Sequence, residues 1–240
     1  MQITGRDWRF WHRVNRQSAL DTFLASGCNV AEGDVLWGRL EADSEEQLIM
    51  AHPPATSSDL SFDQWVKSAL EHGHALKVDF KTPRVISPVL DILAGRAFSA
   101  ERLILNADVG VGPGGGPSLF SVADMAPVRA AFPGAIISLG LTTATWGGAY
   151  QREHVNRLLD AAAKLGAPVT VCLRLELLLA DVSVLQTLEA ADCHVTIWND
   201  STTFPATLEI LEHIRHLAPQ SFIDLHGSSG KPVSVQVAPI

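Results

Sequence analysis

The sequence predicts a single α/β domain built as a (β/α)8 barrel of the TIM type, for three reasons. The chain has 240 residues, a length that is large for most single domains and normal for this barrel. Short apolar runs alternate with longer stretches of helical pattern, which is typical of parallel strands joined by helices. Several of these runs are apolar at both odd and even positions, as strands buried on both faces must be.

Nine runs have the pattern of strands, one more than a closed eight-stranded barrel needs. The third run follows the second with no helix between them, only the charged loop 41–46. One of the nine is therefore an accessory strand or no strand at all. The predicted strands span residues 9–14, 29–37, 47–52, 75–80, 102–108, 135–139, 169–173, 194–198 and 222–225.

Six helices are predicted between the strands. The first follows Asn15, a residue suited to cap its N-terminus, and the second begins with the capping residue Ser61. No internal linker is present, so residues 1–226 are expected to form one barrel, with 227–240 as a tail that wraps the barrel or stays loose. The predicted helices span residues 16–26, 61–72, 121–131, 153–165, 175–190 and 206–217.

Composition argues against several classes of function. The formal net charge is −8 and no tract is basic, whereas binding to a nucleic-acid polymer needs clustered lysine and arginine. The cysteines Cys28, Cys172 and Cys193 form no CxxC pair, so zinc and redox roles are disfavoured. No apolar run approaches the roughly 20 residues of a membrane span, and residues 1–16 lack the pattern of a signal peptide. We therefore expect a cytoplasmic protein.

Acidic and basic side chains stand at the ends of two predicted strands. Because residues two apart in a strand face the same side, Glu32 lies with Asp34, and Lys77 and Lys81 lie with Asp79. In a barrel these side chains point inward near the C-terminal mouth, where active sites lie. Three carboxylates in a dry site repel one another unless a cation is bound, and all-oxygen ligation favours Mg²⁺, then Ca²⁺ or Mn²⁺. The alternative is a solvated rim, or salt bridges from the two lysines.

Two histidines follow strands in the same way. His12 ends the first predicted strand, and His52 stands before Pro53-Pro54, which forces a stiff, extended exit from the third. Taken alone, His12 is more readily explained as a satisfied core or surface histidine. Its occurrence together with His52 and the carboxylates favours a function in proton transfer, for which histidine is suited near neutral pH.

Further residues at strand ends are candidates for the wall of a pocket. Asn106 and Asp108 share one face, where they line the pocket, add to a metal site or cap the following loop. Arg174 binds an anion or pairs with Glu176, and Trp198 provides an apolar wall. The residues expected to bind substrate are Asn15, Lys77, Asn106, Asp108, Arg174, Trp198 and Asn199.

A glycine-rich segment, residues 110–116, follows the fifth predicted strand. It lacks the Gly-Lys-Ser/Thr ending of a P-loop and the GxGxxG spacing of a dinucleotide site, so a flexible loop beside the pocket is expected. Trp146, in a second glycine-containing stretch, is either a lid residue or a packing residue.

The order and spacing of these groups resemble the phospholipase-C-like phosphodiesterase superfamily, which includes glycerophosphodiester phosphodiesterases and the sphingomyelinase D enzymes of spider venom. The matching groups are His12-x-Val14-Asn15, Glu32-x-Asp34, His52 and Asp79-x-Lys81. A still closer resemblance, from about residue 11 to about residue 199, is to the menorin-like domain family. It is carried by Met50-Ala51-His52-Pro53-Pro54, Leu105-Asn106-Ala107-Asp108 and Ser138-Leu139-Gly140-Leu141-Thr142-Thr143.

The superfamily resemblance implies a TIM-type barrel and one divalent cation. It also implies roles for individual residues, with an acid/base pair of His12 and His52 and a phosphate contact from Lys81. The metal ligands it implies are Glu32, Asp34 and Asp79. The cysteine-bridged loop that follows the second histidine in sphingomyelinase D is absent after His52, so a sphingolipid headgroup is not predicted.

The function expected from the sequence is that of a metal-dependent phosphodiesterase that hydrolyses or cyclises a small phosphodiester. The alternative is a catalytically weak barrel that binds a phosphorylated or sugar ligand in a recognition role. A barrel aldolase or isomerase would need a lone, desolvated lysine, a requirement that Lys77 and Lys81 beside carboxylates fit less well.

Overall fold

The computed structural model describes residues 7–41, 45–144 and 147–233, and in them it shows a nearly closed barrel of eight parallel strands. Its strands are β1 (Phe10–Trp11), β2 (Val30–Leu40), β3 (Glu46–Met50), β4 (Ser57–Ser58), β5 (Ala75–Phe80), β6 (Leu103–Val111), β7 (Ile136–Thr142), β8 (Val169–Arg174), β9 (His194–Trp198) and β10 (Phe222–Asp224). The barrel order is β1-β2-β5-β6-β7-β8-β9-β10, and each neighbouring pair is parallel. β10 lies beside β1, although the described residues form no ladder between them.

The extra strand run is an accessory strand. β3 pairs antiparallel with β2, with Met50 opposite Val35, and the short β4 pairs with the far end of β2. β2 therefore continues beyond the barrel wall, and β3 brings the chain back toward it. The alternative that one run is no strand is excluded.

The helices largely follow the prediction, with two differences. α3 was not among the predicted helices. Its Pro88 lies in the first turn, where a proline breaks no intrahelical hydrogen bond. The run 175–190 is two helices, because the Asp181 carboxylate accepts the Ser183 N–H at 2.9 Å in a turn between them. The helices are α1 (Gln17–Leu24), α2 (Phe62–Glu71), α3 (Ile86–Gly95), α4 (Ala126–Ala131), α5 (Arg152–Leu165), α6 (Leu175–Ala180), α7 (Val184–Ala190) and α8 (Leu208–Leu217).

Of the two predicted N-terminal caps, the one of α2 is confirmed and the one of α1 is wrong. Ser61 caps α2 in a reciprocal pair of hydrogen bonds with Gln64, as expected. The prediction that Asn15 caps α1 was wrong. Arg16 is the N-cap residue, and the Asn15 carboxamide is bonded instead to Asp34 on the neighbouring strand.

One end of the barrel interior is filled with apolar side chains. They come from the first inward positions of six strands, and the next inward positions on the same strands are polar. Along β2, for example, Val30 is followed at the same face by Glu32 and then Asp34. The apolar plug consists of Phe10, Val30, Ala75, Ile104, Ile136 and Phe222. The polar positions of the barrel interior therefore lie toward the C-terminal ends of the strands, here called the mouth.

The glycine-rich segment, which was expected to be a flexible loop, is hydrogen-bonded to the end of β7. The Gly112 N–H donates to the Thr142 carbonyl at 2.9 Å, and the Thr142 hydroxyl donates to the Gly116 carbonyl at 2.5 Å. A Cβ atom on Gly115 would lie 1.8 Å from the Thr142 carbonyl oxygen, so this close approach of two backbones requires glycine.

Three further expectations concern the rest of the chain. The cysteines are free, with Cys172 buried and the other two half-buried. Among the described residues, no helix combines the length and apolar character that crossing a bilayer requires. At the C-terminal end, residues 227–233 turn back so that the Val233 N–H donates to the Leu225 carbonyl. Residues 234–240 and Trp146 lie outside the described residues.

Candidate metal and acid/base site

The register of β2 and β5 brings the predicted carboxylates together at the mouth. Glu32 lies opposite Lys77, and Asp34 lies opposite Asp79. One carboxylate oxygen from each of Glu32, Asp34 and Asp79 lies within 4.8 Å of the other two. We call these three residues the carboxylate trio. Glu32 and Asp34 are buried, and Asp79 is half-buried.

Lys81 bridges two members of the trio. Its Nζ lies 2.6 Å from Asp34 Oδ1 and 2.6 Å from Asp79 Oδ2. Burial alone would lower the pKa of Lys81, but these two carboxylates outweigh it and hold the pKa well above its usual value. For Asp34, burial acts to raise the pKa, but the charge and hydrogen bond of Lys81 and the hydrogen bond from Asn15 outweigh it and lower the pKa to about 2. The predicted alternative of salt bridges is thus present for Lys81, which pairs with both Asp34 and Asp79.

The donor set of the trio fits a hard divalent cation. Burial raises the pKa of Glu32 above its usual value, and a bound cation would favour its deprotonated form. With all three carboxylates deprotonated, as ligation requires, the trio carries three negative charges, and Lys81 returns one positive charge. The two remaining negative charges match one Mg²⁺, Ca²⁺ or Mn²⁺, all of which prefer oxygen ligands. Asn106 Oδ1 is buried at the same mouth and has no hydrogen-bond partner among the described residues, so it is a further oxygen for such an ion.

Two asparagines hold members of the trio in place. The Asn15 carboxamide donates to Asp34 Oδ2 at 2.5 Å and accepts the Asp34 N–H at 2.9 Å. Asn106 Nδ2 donates to Asp79 Oδ1 at 2.9 Å. Both residues were predicted to bind substrate. The structure places them behind the carboxylates, where they fix the orientation that ligation requires.

His12 lies at the edge of the trio with its ring largely buried. Its Nδ1 is 3.1 Å from Glu32 Oε2, and the same oxygen accepts the Arg13 N–H at 2.7 Å. Burial acts to lower the pKa of His12, but the charges of Glu32 and Asp224 outweigh it and raise the pKa above its usual value. The ring also stacks on Trp198, with centroids 6.0 Å apart and planes 16° apart.

His52 reaches the mouth through β3. The antiparallel pairing with β2 lets the Ala51 N–H donate to the Asp34 carbonyl at 2.9 Å, so the next residue stands beside the trio. His52 Nδ1 is 2.6 Å from the Pro53 carbonyl oxygen. Because a carbonyl only accepts, Nδ1 carries the proton, which leaves Nε2 of this exposed ring available.

Asp108 stands on the same face as Asn106, two residues further along β6. Burial and the nearby charge of Asp79 raise the pKa of Asp108 to about 6. A Cβ atom on Gly140 would lie 2.1 Å from Asp108 Oδ1, so the carboxyl group rests against the bare backbone of β7. It lines the mouth, as predicted from its position.

The remaining predicted pocket residues lie on the other side of the mouth. Arg174 is buried, its Nε donates to Glu176, and its guanidinium lies 5.3 Å from the Trp198 ring centroid. Of the two readings for Arg174, pairing with Glu176 is the one present. The Asn199 carboxamide forms three hydrogen bonds to backbone groups of Phe204 and His226. Arg174, Trp198 and His12 therefore form one stacked wall.

Two residues of the site were missed by the sequence analysis. Asp224 is fully buried, with Oδ2 lying 3.0 Å from Lys77 Nζ and 3.2 Å from His12 Nδ1. His226 is also buried, and its Nε2 accepts the His12 N–H at 3.2 Å. The signal was the polar pair Asp224-x-His226 at the end of the last strand, the same pattern that selected Glu32-x-Asp34.

The chain matches a protein family and a human protein over most of its length. A family model described as the Menorin N-terminal domain matches residues 5–228. The human protein FAM151B is 30% identical over 229 residues, and the alignment covers 88% of this chain and 82% of that protein. The matched range of the family model contains every site residue described above, from His12 to His226.

Proposed function

We infer that this chain, which belongs to the menorin family, is a divalent-metal-dependent phosphodiesterase of the phospholipase-C-like type. The observation that carries the proposal is the convergence of three chemical elements at one mouth. The carboxylate trio fits a hard cation, two histidines stand beside it, and Lys81 adds a positive charge. A single phosphate group within reach of all three would meet the requirements of phosphodiester cleavage.

The proposed reaction divides proton transfer between the two histidines. One histidine accepts the proton of the attacking hydroxyl, which belongs either to water or to the substrate itself. The bond from phosphorus to the leaving oxygen breaks, and the other histidine donates a proton to that oxygen. Hydrolysis follows when water attacks, and a cyclic phosphate forms when a hydroxyl of the substrate attacks.

The other residues stabilise and orient the phosphate. Lys81 contributes a compact positive charge near a nonbridging oxygen, where negative charge develops. Glu32, Asp34 and Asp79 would hold the cation, which when bound supplies charge stabilisation at the phosphate. Asn15 and Asn106 keep the trio aligned, and Trp198 limits the mouth on one side.

Turnover of a generic chromogenic phosphodiester, bis-(p-nitrophenyl) phosphate, tests the proposal. The protein is stripped of metal and refilled with Mg²⁺, Mn²⁺ or Ca²⁺, and Glu32→Gln and His52→Ala are assayed alongside. Asp91→Asn is the matched control, because Asp91 is an exposed residue of α3. Metal-dependent turnover that is lost in the two site variants and kept in Asp91→Asn supports the proposal.

A recognition role is the second candidate, and the Lys81 bridge favours it. Lys81 already neutralises part of the charge of Asp34 and Asp79, so the trio is compatible with a fold that binds a phosphorylated ligand without cleaving it. The same assay separates the two candidates. Tight metal binding without turnover of any phosphodiester would favour recognition.

A further inference from the structure

Asp224 is the point where three basic groups of the barrel interior meet. Its Oδ2 lies 3.0 Å from Lys77 Nζ and 3.2 Å from His12 Nδ1, and its Oδ1 lies 3.8 Å from His226 Nδ1. All four side chains are buried or nearly so. A carboxylate with this many basic neighbours stays ionised, so it acts only as a hydrogen-bond acceptor.

Two carboxylates compete for the ring of His12. Glu32 Oε2 and Asp224 Oδ2 lie 3.1 Å and 3.2 Å from the same nitrogen, which has one proton to donate. Glu32 belongs to the carboxylate trio, and its Oε2 also accepts the Arg13 N–H. When a cation is bound, the lone pairs of Glu32 are therefore used by the cation and by Arg13. Asp224 lies outside the trio and can still accept the hydrogen bond from His12.

Other residues hold the backbone of His12 and one face of its imidazole ring. The His12 N–H donates to His226 Nε2 at 3.2 Å, and Trp198 covers one face of the imidazole. Asn199 in turn accepts the His226 N–H at 2.7 Å and donates to the His226 carbonyl at 2.8 Å. These contacts limit rotation of the His12 ring and keep its Nδ1 directed toward Asp224.

We propose that Asp224, charge-balanced by Lys77, is the positioning residue of His12. It keeps the proton on Nδ1 and thereby makes Nε2 the nitrogen that exchanges a proton with substrate. The catalytic part of this statement rests on the proposed phosphodiesterase function. The structural part, the proton position on His12, holds with or without turnover. Asp224 is not a member of the trio, and it acts through His12.

The tautomer of His12 is read from ¹⁵N chemical shifts of the imidazole nitrogens in histidine-labelled, Mg²⁺-loaded protein, with His12→Gln used to assign the signal. Two double variants are compared. Lys77 is replaced in both, because a change at Asp224 alone would leave the buried Lys77 without its partner. Lys77→Met with Asp224→Leu removes the acceptor, and Lys77→Met with Asp224→Asn keeps a neutral one. Asp91→Asn is the control.

In the wild type the proton is expected on Nδ1. The Leu double variant is expected to lose that tautomer and to lower kcat for bis-(p-nitrophenyl) phosphate by roughly 10²-fold or more, with KM and the Mg²⁺ Kd within about twofold. The Asn double variant is expected to keep the tautomer and to recover at least about tenfold in kcat.

Three outcomes would overturn the proposal. They are a wild-type proton on Nε2, equal kcat values in the Leu and Asn variants, and a loss of Mg²⁺ affinity that matches the loss of kcat. If the wild type turns over no phosphodiester but its His12 tautomer depends on Asp224, the positioning stands and the proposed function fails.

Discussion

Substitution of Lys77 by Met is expected to destabilise the fold strongly, because it leaves Asp224 as a buried charge without its closest cation. Lys77 Nζ and Asp224 Oδ2 are 3.0 Å apart, and the two side chains are 3% and 0% exposed. At an effective dielectric constant of about 20, Coulomb's law gives about 5.5 kcal/mol for this separation. Removing one partner of a buried pair costs about 3–5 kcal/mol, and His12 still faces Asp224, so we expect about 3 kcal/mol.

Urea denaturation followed by circular dichroism measures this loss as a change in the free energy of unfolding. In a chain of this size, about 3 kcal/mol corresponds to a fall of roughly 6–12 °C in Tm. Lys67→Met is the matched control, since Lys67 and Glu71 form an exposed pair 3.9 Å apart, and its loss should change stability by less than about 0.5 kcal/mol.

A double variant tests the cause of the destabilisation. Lys77→Met combined with Asp224→Leu replaces the ion pair by apolar groups and should lie within about 1 kcal/mol of the wild type. The reasoning would be refuted if Lys77→Met cost no more than Lys67→Met. It would also be refuted if the double variant were as unstable as the single one.

Three further predictions address the metal ligands, a buried histidine and the far end of the barrel. Asp34→Asn should weaken Mg²⁺ binding by at least about tenfold and abolish turnover, whereas His12→Ala should leave the Mg²⁺ Kd within about twofold. Retained turnover in His12→Ala would contradict its acid/base role. Burial lowers the pKa of His226 to about 4, so between that pH and about 6.5 the unfolded chain binds a proton that the folded chain does not. Stability should therefore fall by up to about 3 kcal/mol as the pH is lowered through this window. His226→Gln should flatten that part of the pH profile in urea titrations, and an unchanged slope would show that another group is responsible. Arg129 donates to four backbone carbonyls, of Pro133, Ala135, Gly166 and Pro168, so Arg129→Met should cost at least about 2 kcal/mol without changing the Mg²⁺ Kd. A calorimetric scan with no fall in Tm would contradict the structural role of Arg129.

The barrel strands were predictable where both of their faces are buried. The run 75–80 and the run 194–198 coincide with β5 and β9. In both, the outward positions are apolar and buried under helices, and this made the strands recognisable even where the inward face is polar. The first strand was predicted as 9–14 and is only Phe10–Trp11. The chain leaves the strand at Arg13, which has a φ of +58° and donates its N–H to Glu32. An arginine in the left-handed backbone region is uncommon, and no sequence pattern predicts it.

Site residues that share one strand were predictable from the sequence, whereas contacts between the first and last strands of the barrel were not. The two-residue period selected Glu32 with Asp34, and Asp79 with Lys81, and the structure brings these groups together. Asp224 meets His12 across 212 positions of sequence, at the point where β10 comes beside β1. That contact depends on closure of the whole sheet, so neither residue's local sequence predicts it.

The same reasoning explains the reassignment of Lys77. On β5 it shares a face with Asp79 and Lys81, and it was therefore predicted to bind substrate. It lies deeper than the mouth, however, and the closing strand supplies Asp224 as its partner. Depth along a barrel strand separates residues that hold the site together from residues that face a ligand.

The most direct test of the central claim is a Mn²⁺ titration of metal-stripped protein followed by electron paramagnetic resonance. Mn²⁺ accepts the same oxygen ligands as Mg²⁺ and is counted directly by this method. Our account predicts one tight site per chain in the wild type and in Asp91→Asn, and loss of that site in Glu32→Gln, Asp34→Asn and Asp79→Asn. A wild type without a tight site, or a site that survives all three substitutions, would contradict the assignment of the carboxylate trio as the metal centre.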